Sequence, residues 1–186
     1  MNGYKKQPIS DDDVVIVGFS RTALTKAKRG AQKDTPTESM LVPVLKAVVQ
    51  QANLDPKLVE DICVGNVSDP GAAAMTSRMA MFLAGFPETT CLSTQNRFCS
   101  SGLQSVATIA NAIKNRQIAI GIGAGVESMS TNGMGGGIDP NTLAPAIFEH
   151  EKAQLCLMPM GMTSENVAEK FGITRQQQDQ MAVESH

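Results

Sequence analysis

The sequence predicts an α/β domain built on a largely parallel sheet, and three observations lead there. Short apolar runs at Val14-Val15-Ile16-Val17, Asp61 to Val67 and Ile118 to Ala124 have the length and β-branched content of buried strands. Segments with helical spacing lie between them. Strand and helix alternate from residue 14 to residue 125, the order that lays parallel strands side by side beneath crossover helices.

Each element has a local reason. Val14 to Val17 follows a polar tail ending in Asp11-Asp12-Asp13 and precedes a polar loop from Ser20 to Asp34. Thr35-Pro36-Thr37-Glu38 reads as a helix start, with Thr35 as N-cap, Pro36 in the first helical position and Glu38 closing a capping box. That helix is expected to reach about Ala52, kinked or interrupted at Pro43. Asp55-Pro56 opens a brief helical turn, and the strand from Asp61 to Val67 stops at Asp69-Pro70-Gly71.

Ala72 to Ala84 carries Met75, Met79, Phe82 and Leu83 at helical spacing and stops at Gly85. A short strand from Thr90 to Thr94 leads into the segment around Cys99. A helix follows it, with Leu103, Val106, Ala110 and Ile113 on one face. The strand from Ile118 to Ala124 is rich in glycine, so other backbone is expected to approach it closely.

From Ser130 the composition changes. Gly133, Gly135, Gly136, Gly137, Pro140 and Pro145 mark an irregular excursion. Two helices close the chain: about Thr163 to Phe171, stopped by Gly172, and one opened by a second capping box at Thr174-Arg175-Gln176-Gln177. The last helix is still running at His186, which reads as a chain cut inside an element. The domain reading is a polar tail over 1–12, an α/β unit over 13–130 and the start of a further unit over 131–186.

Composition narrows the function classes. Net charge is −2 with scattered basic residues, which gives no electrostatic case for nucleic acid or an anionic membrane surface. The one dense basic stretch, Lys26-Ala27-Lys28-Arg29, is balanced by Asp34 and Glu38 and reads as a solvated loop. No apolar run is long enough to span a membrane. The four cysteines (Cys63, Cys91, Cys99 and Cys156) form no CxxC pair and no zinc or disulfide spacing, a pattern of reduced thiols in an intracellular protein.

Cys99 is the candidate for chemistry. Most cysteines are inert core residues, so residue type alone says little. The setting says more. Cys99 stands between a strand and a helix, where backbone N–H groups and the positive end of the helix dipole favour an anionic sulfur. Ser100, Ser101 and Gly102 are small and leave room for a substrate. The logic is that of the strand–nucleophile–helix elbow of serine hydrolases, with sulfur in place of oxygen. On these grounds a nucleophile and a structural thiol both remain open.

Asn96-Arg97-Phe98-Cys99-Ser100-Ser101-Gly102-Leu103-Gln104 resembles the nucleophile motif of thiolases, N-[RK]-x-C-[SA]-S-G. Other segments match that family in order. They are Arg21-Thr22-Ala23, then Asp61-Ile62-Cys63-Val64-Gly65-Asn66-Val67, then Gly125-Val126-Glu127-Ser128-Met129-Ser130, and last Pro159-Met160-Gly161-Met162-Thr163-Ser164-Glu165-Asn166-Val167-Ala168. The likeness runs from about Val14 to His186. In Glu151-Lys152-Ala153 and Cys156 to Gly161 it is strongest to the peroxisomal 3-ketoacyl-CoA branch.

The resemblance implies a thiolase fold: the first βαβαβ half, with a mostly parallel sheet, and the beginning of the family's inserted loop domain. It implies thiolytic cleavage of 3-ketoacyl-CoA, the thiolytic step of fatty acid β-oxidation, with Cys99 holding the acyl group as a thioester. A thioester on sulfur matches the energy of a CoA thioester, so neither half-reaction is strongly uphill. The Cys99 N–H would serve an oxyanion hole, and Met160 would line the acyl pocket. CoA and acyl-CoA enter as substrates, with no permanently bound cofactor and no metal.

The family's base is a His in a Gly-His-Pro motif, and a second Cys in a glycine-rich segment moves the proton at the substrate carbon. Neither motif occurs in the sequence, and the family's main CoA-gripping residues fall largely outside it. His150 sits in a polar stretch and reads as a surface residue, and His186 falls in the loop-domain helix. Cys63 reads as core, and Cys91 and Cys156 as structural or exposed thiols.

Thiolases are dimers, so a homodimer, or a partner supplying the other half, is expected, with a helix layer and sheet face left uncovered in the chain alone. The alternative is a non-catalytic thiolase half acting as a dimerising or regulatory partner. The resemblance suggests the peroxisome, with mitochondrion or cytosol as alternatives; the targeting nonapeptide of that branch is not recognisable in Met1 to Asp13. A dinucleotide site at Gly121-Ile122-Gly123-Ala124-Gly125 is disfavoured, because the third glycine is misplaced and Glu127 is too near to bind a ribose.

Overall fold

β1 (Asp61–Gly65) lies at the centre of a three-stranded sheet, paired in parallel with β2 (Cys91–Gln95) on one side and β3 (Gly121–Gly125) on the other. The computed structural model describes residues 10–133 and 139–186, which form two compact units on either side of the intervening segment. Gly135, Gly136, Gly137 and the first nine residues of the polar tail lie outside the described residues.

Within the first unit, side-chain alternation divides the sheet between two helix layers. Ile62 and Val64 of β1 face a core shared with Leu41, Leu45 and Val49 of α1 (Thr37–Gln51) and with Ala80 and Met81 of α2 (Ala74–Leu83). Leu41, Leu45 and Val49 stand four residues apart, so one stripe of α1 makes that contact. The other face carries α3 (Ser101–Lys114). There the strands are glycine-rich, and a methyl group added at Gly123 would lie 2.5 Å from the Val106 Cα. The close backbone approach expected of that strand is therefore present.

Three local expectations are corrected. Val14 to Val17 forms no strand: the segment carries no ladder pairing, and Val15, Ile16 and Val17 are 71%, 77% and 70% exposed. An apolar run becomes a strand only beside a partner. Here a cleft of about 710 Å³ lies along the free edge of β3, between α1 and α3, with Val14 to Thr25 as its outer wall.

The helix at Thr37 starts without its capping box. Pro36 takes the cap position, no side chain caps the helix, and Thr37 is buried. The helix also runs unbroken through Pro43. On α2, whose helical spacing left its buried face open, Met75, Met79, Phe82 and Leu83 are exposed, and Ser77, Ala80 and Met81 are the buried face. Helical spacing identifies an apolar stripe but not whether a partner covers it.

The second unit contains two short helices, α4 (Ala146–Glu149) and α5 (Glu151–Leu155), and two longer ones, α6 (Met160–Phe171) and α7 (Arg175–Ser185). α6 ends at Gly172, whose φ of 65° is the left-handed conformation glycine adopts at no steric cost. α7 begins with the capping box read from the sequence: the Thr174 side chain accepts from the Gln177 N–H, and the Gln177 side chain accepts from the Thr174 N–H. Among the described residues no helix is long and apolar enough to cross a membrane.

Candidate active site

Cys99 sits between the end of β2 and the start of α3, in a five-residue turn, Asn96 to Ser100, whose shape is fixed by hydrogen bonds. β2 ends at Gln95, where the Gln95 C=O accepts from the Asn66 N–H at 3.1 Å and ties the turn to the end of β1. Asn96 then closes an Asx turn: its Oδ1 accepts from the Phe98 N–H at 2.9 Å. Ser101 works from the other side. Its hydroxyl accepts from the Arg97 N–H at 2.9 Å and donates to the Phe98 C=O at 2.6 Å. The Ser100 and Ser101 N–H groups donate to the Arg97 and Phe98 carbonyls, which winds the backbone into α3.

These bonds hold Phe98 at a φ of 49°. Left-handed backbone costs a non-glycine residue about 1–2 kcal/mol, so the turn stores modest strain immediately before Cys99. The consequence is an elbow. Cys99 is left exposed and free two residues ahead of a helix that lies on the sheet, while Ser101, the first residue of that helix, is buried.

The floor under the elbow is Gly65. A Cβ there would lie 2.4 Å from the Ser101 carbonyl carbon and 2.7 Å from the Gly102 nitrogen. Gly125 of β3 is in near contact too, its added Cβ 3.3 Å from the Gly102 Cα. The start of α3 thus rests directly on the backbone of two strands. Ser105, fully buried, donates to Gly102 and Ala124 carbonyls at 2.6 Å each and pins the helix there.

The remaining cysteines are spread apart in role. Cys63 is buried in β1, and burial pushes its thiol above the ordinary value, a hydrogen bond with Ser93 opposing the shift and Asp61 adding to it. Cys91 and Cys156 are exposed and free. His150 caps α5, its Nδ1 accepting from the Ala153 N–H at 3.3 Å, so its ring has a local structural task. Met160 is the first residue of α6 and is exposed. Gly121 to Gly125 are β3 itself rather than a loop after a strand, which removes the geometry of a dinucleotide turn. Among the described residues, no group of three or more His, Cys, Asp or Glu side chains is placed to hold a metal ion.

Two site residues escaped the sequence reading as individuals. Ser101 counted there only as a small neighbour, yet it is the side chain that ties the elbow. Glu127 lay in a matched segment without a role, and its carboxylate accepts from both the Val67 and the Ser68 N–H, at 2.9 and 3.2 Å. The Asx pattern at Asn96 was a signal open to a reader of the sequence. The Glu127 contact, 60 residues away in sequence, was not.

Comparison with known proteins assigns a family. The family model described as "Thiolase, N-terminal domain" matches residues 14–186. The peroxisomal 3-ketoacyl-CoA thiolase 2 of Arabidopsis thaliana is 53% identical over 184 residues, 98% of this chain and 39% of that protein. The human peroxisomal 3-ketoacyl-CoA thiolase is 51% identical over 173 residues, 93% of this chain and 40% of that one. The chain therefore spans about two-fifths of the length of these relatives.

Among solved structures, the dimeric peroxisomal thiolase of Saccharomyces cerevisiae superposes with a TM-score of 0.85 at 39% identity, covering 97% of this chain and 46% of that one. The acetyl-CoA acetyltransferase of Bacillus anthracis gives 0.75 at 29% identity, covering 92% and 45%. By fold and by sequence over residues 14–186, the chain belongs to the thiolase family, whose N-terminal domain it carries.

Proposed function

We propose that Cys99 is the acyl-accepting nucleophile of 3-ketoacyl-CoA thiolysis. The observation that carries this reading is the exposed thiol at the head of α3, on an elbow that a left-handed Phe98 and the Ser101 hydroxyl hold in place. The sulfur adds to the 3-keto carbon, whose oxygen takes the negative charge. Collapse of the adduct breaks the C2–C3 bond. The leaving acetyl-CoA carbanion takes a proton at C2, and the shortened acyl group remains on Sγ. The sulfur of CoA, its thiol proton passing to the base, then attacks that thioester; the bond between the acyl carbon and Cys99 Sγ breaks, the Cys99 thiolate leaves, and CoA carries the acyl group away.

The Cys99 N–H is proposed as an oxyanion donor. Met160 is proposed to contact the acyl chain, on the strength of the Pro159-Met160-Gly161 wording. The base and the proton donor at C2 are assigned by family likeness to a histidine and a second cysteine whose motifs do not occur in residues 1–186. CoA and acyl-CoA are the proposed substrates, and the peroxisome, named in the descriptions of the relatives, is the proposed compartment. The two-unit division reads as a core half followed by the start of a loop domain.

The test is acetylation. On incubation with acetyl-CoA, the peptide containing Cys99 should gain an acetyl group by mass spectrometry, while those of Cys91 and Cys156 do not. Cys99→Ala should lose the label. Equal labelling of all three exposed thiols, or none at Cys99, refutes a nucleophile role for this chain.

Pairing with a second thiolase chain is proposed from two exposed features of the first unit. β2 is an edge strand, and Met75, Met79, Phe82 and Leu83 of α2, a helix that contacts β2, are exposed. Sedimentation velocity at micromolar concentration should show a dimer that Met79→Asp weakens. A monomer at every concentration removes this part. A dimer that leaves Cys99 unlabelled supports the alternative of a non-catalytic dimerising half.

A further inference from the structure

We infer that Glu127 is a positioning residue for Cys99, acting through a relay of Val67, Asn96 and Phe98. Glu127 follows β3 by two residues and is exposed, a setting in which a carboxylate ordinarily faces water. Here both oxygens are committed to backbone. Oε2 accepts from the Val67 N–H at 2.9 Å and Oε1 from the Ser68 N–H at 3.2 Å. Bonds to an ionised acceptor are stronger than neutral ones, so one side chain fastens the segment leaving β1 to the segment leaving β3.

That segment is the anchor of the nucleophile turn. The Val67 C=O accepts from Asn96 Nδ2 at 3.2 Å, and Asn96 Oδ1 accepts from the Phe98 N–H at 2.9 Å. Phe98 at a φ of 49° is the one residue in the turn whose backbone must be held against its own preference. If Val67 moves, Asn96 loses the fixed end of its bridge. Phe98 is then free to relax, and the direction of the Cys99 side chain changes with it. Ser101 holds the same residue from the helix side. Two supports therefore converge on Phe98, one local and one reaching to Glu127. The clamp stands on geometry alone; its consequence for acyl transfer rests on the function proposed above.

The experiment uses the 186-residue chain with Glu127→Ala and Glu127→Gln, read by amide hydrogen exchange. Loss of the carboxylate should speed exchange at Val67, Ser68 and Phe98 by about tenfold, leaving Cys63 and Val64 within β1 unchanged. Glu127→Gln, which keeps one acceptor oxygen, should fall between. In parallel, acetylation of Cys99 should slow by about tenfold in Glu127→Ala. Phe98→Gly in that background should restore most of the rate, because glycine adopts positive φ without support.

A Phe98 amide indifferent to Glu127 overturns the relay. So does slowed acetylation that glycine at position 98 does not rescue, since that pattern marks a general loss of structure. If the parent chain takes no acetyl group, the proposed function fails, and the exchange rates alone decide the clamp.

Discussion

Replacing Gly65 with alanine should cost the first unit about 3 kcal/mol and lower its melting temperature by about 10 °C. The new methyl would meet the Ser101 carbonyl carbon at 2.4 Å, the Ser101 oxygen at 2.5 Å and the Gly102 nitrogen at 2.7 Å. All three are backbone atoms, so no rotamer change relieves the clash. Ordinary carbon contacts lie at about 3.5–4.0 Å, and α3 must retreat by roughly 1 Å to restore them.

That retreat moves the head of the helix on which Cys99 stands. Acetylation of Cys99 should therefore fall by about tenfold or more along with stability. Gly133→Ala is the control, because a methyl there meets nothing within 4 Å. A Gly65→Ala chain that melts within about 1 °C of the parent would refute the close packing of α3 on β1.

Leu45→Ala should be as destabilising, by about 2–5 kcal/mol, with a different signature. Leu45 is fully buried in the cluster that joins α1 to Ile62, Val64, Met81 and Phe86, on the sheet face opposite α3. Truncation opens a cavity in that cluster, on the face of the sheet away from α3. Under native conditions, iodoacetamide labelling of Cys99 relative to Cys91 should be unchanged, while the urea midpoint falls. A loss below about 1 kcal/mol would mean that this helix layer is less tightly packed than the burial of Leu45 requires. Read together, the two substitutions separate loss of fold from loss of site geometry.

Much of the architecture was legible because it is local. β1 is apolar on consecutive positions and is buried on both faces, so its strand character needed no knowledge of its neighbours. The glycines of β3 announced a close approach, and Val106 and Gly102 are what approaches. Thr174 and Gln177 form their capping box because both partners belong to one turn of chain. The elbow was legible for the same reason: Asn96 to Gly102 is a contiguous motif, and the hydrogen bonds within it span five residues or fewer.

What failed depended on partners distant in sequence. Val14 to Val17 has the composition of a buried strand, but the edge of β3 lies across a cleft from it. Met75, Met79, Phe82 and Leu83 form a stripe that periodicity cannot assign to core or surface, and the fold buries the small residues on the other side. Thr35 has the chemistry of a cap, yet the chain direction at Pro36 places the helix start one step later than the motif needs.

The sequence by itself determined the alternation of strand and helix, the placing of a cysteine at a strand-to-helix junction, and the likeness to thiolases over residues 14–186. These follow from composition and spacing along the chain. Only the tertiary structure decided that Gly65 is the floor of the elbow, that Ser101 and Asn96 hold Phe98 left-handed, and that Glu127 reaches the same turn through Val67. The physical reason is that β1, β2 and β3 bring residues 65, 96 and 127 to one end of a parallel sheet. Hydrogen bonds that act over 3 Å can be assigned only once the strands have set which residues meet.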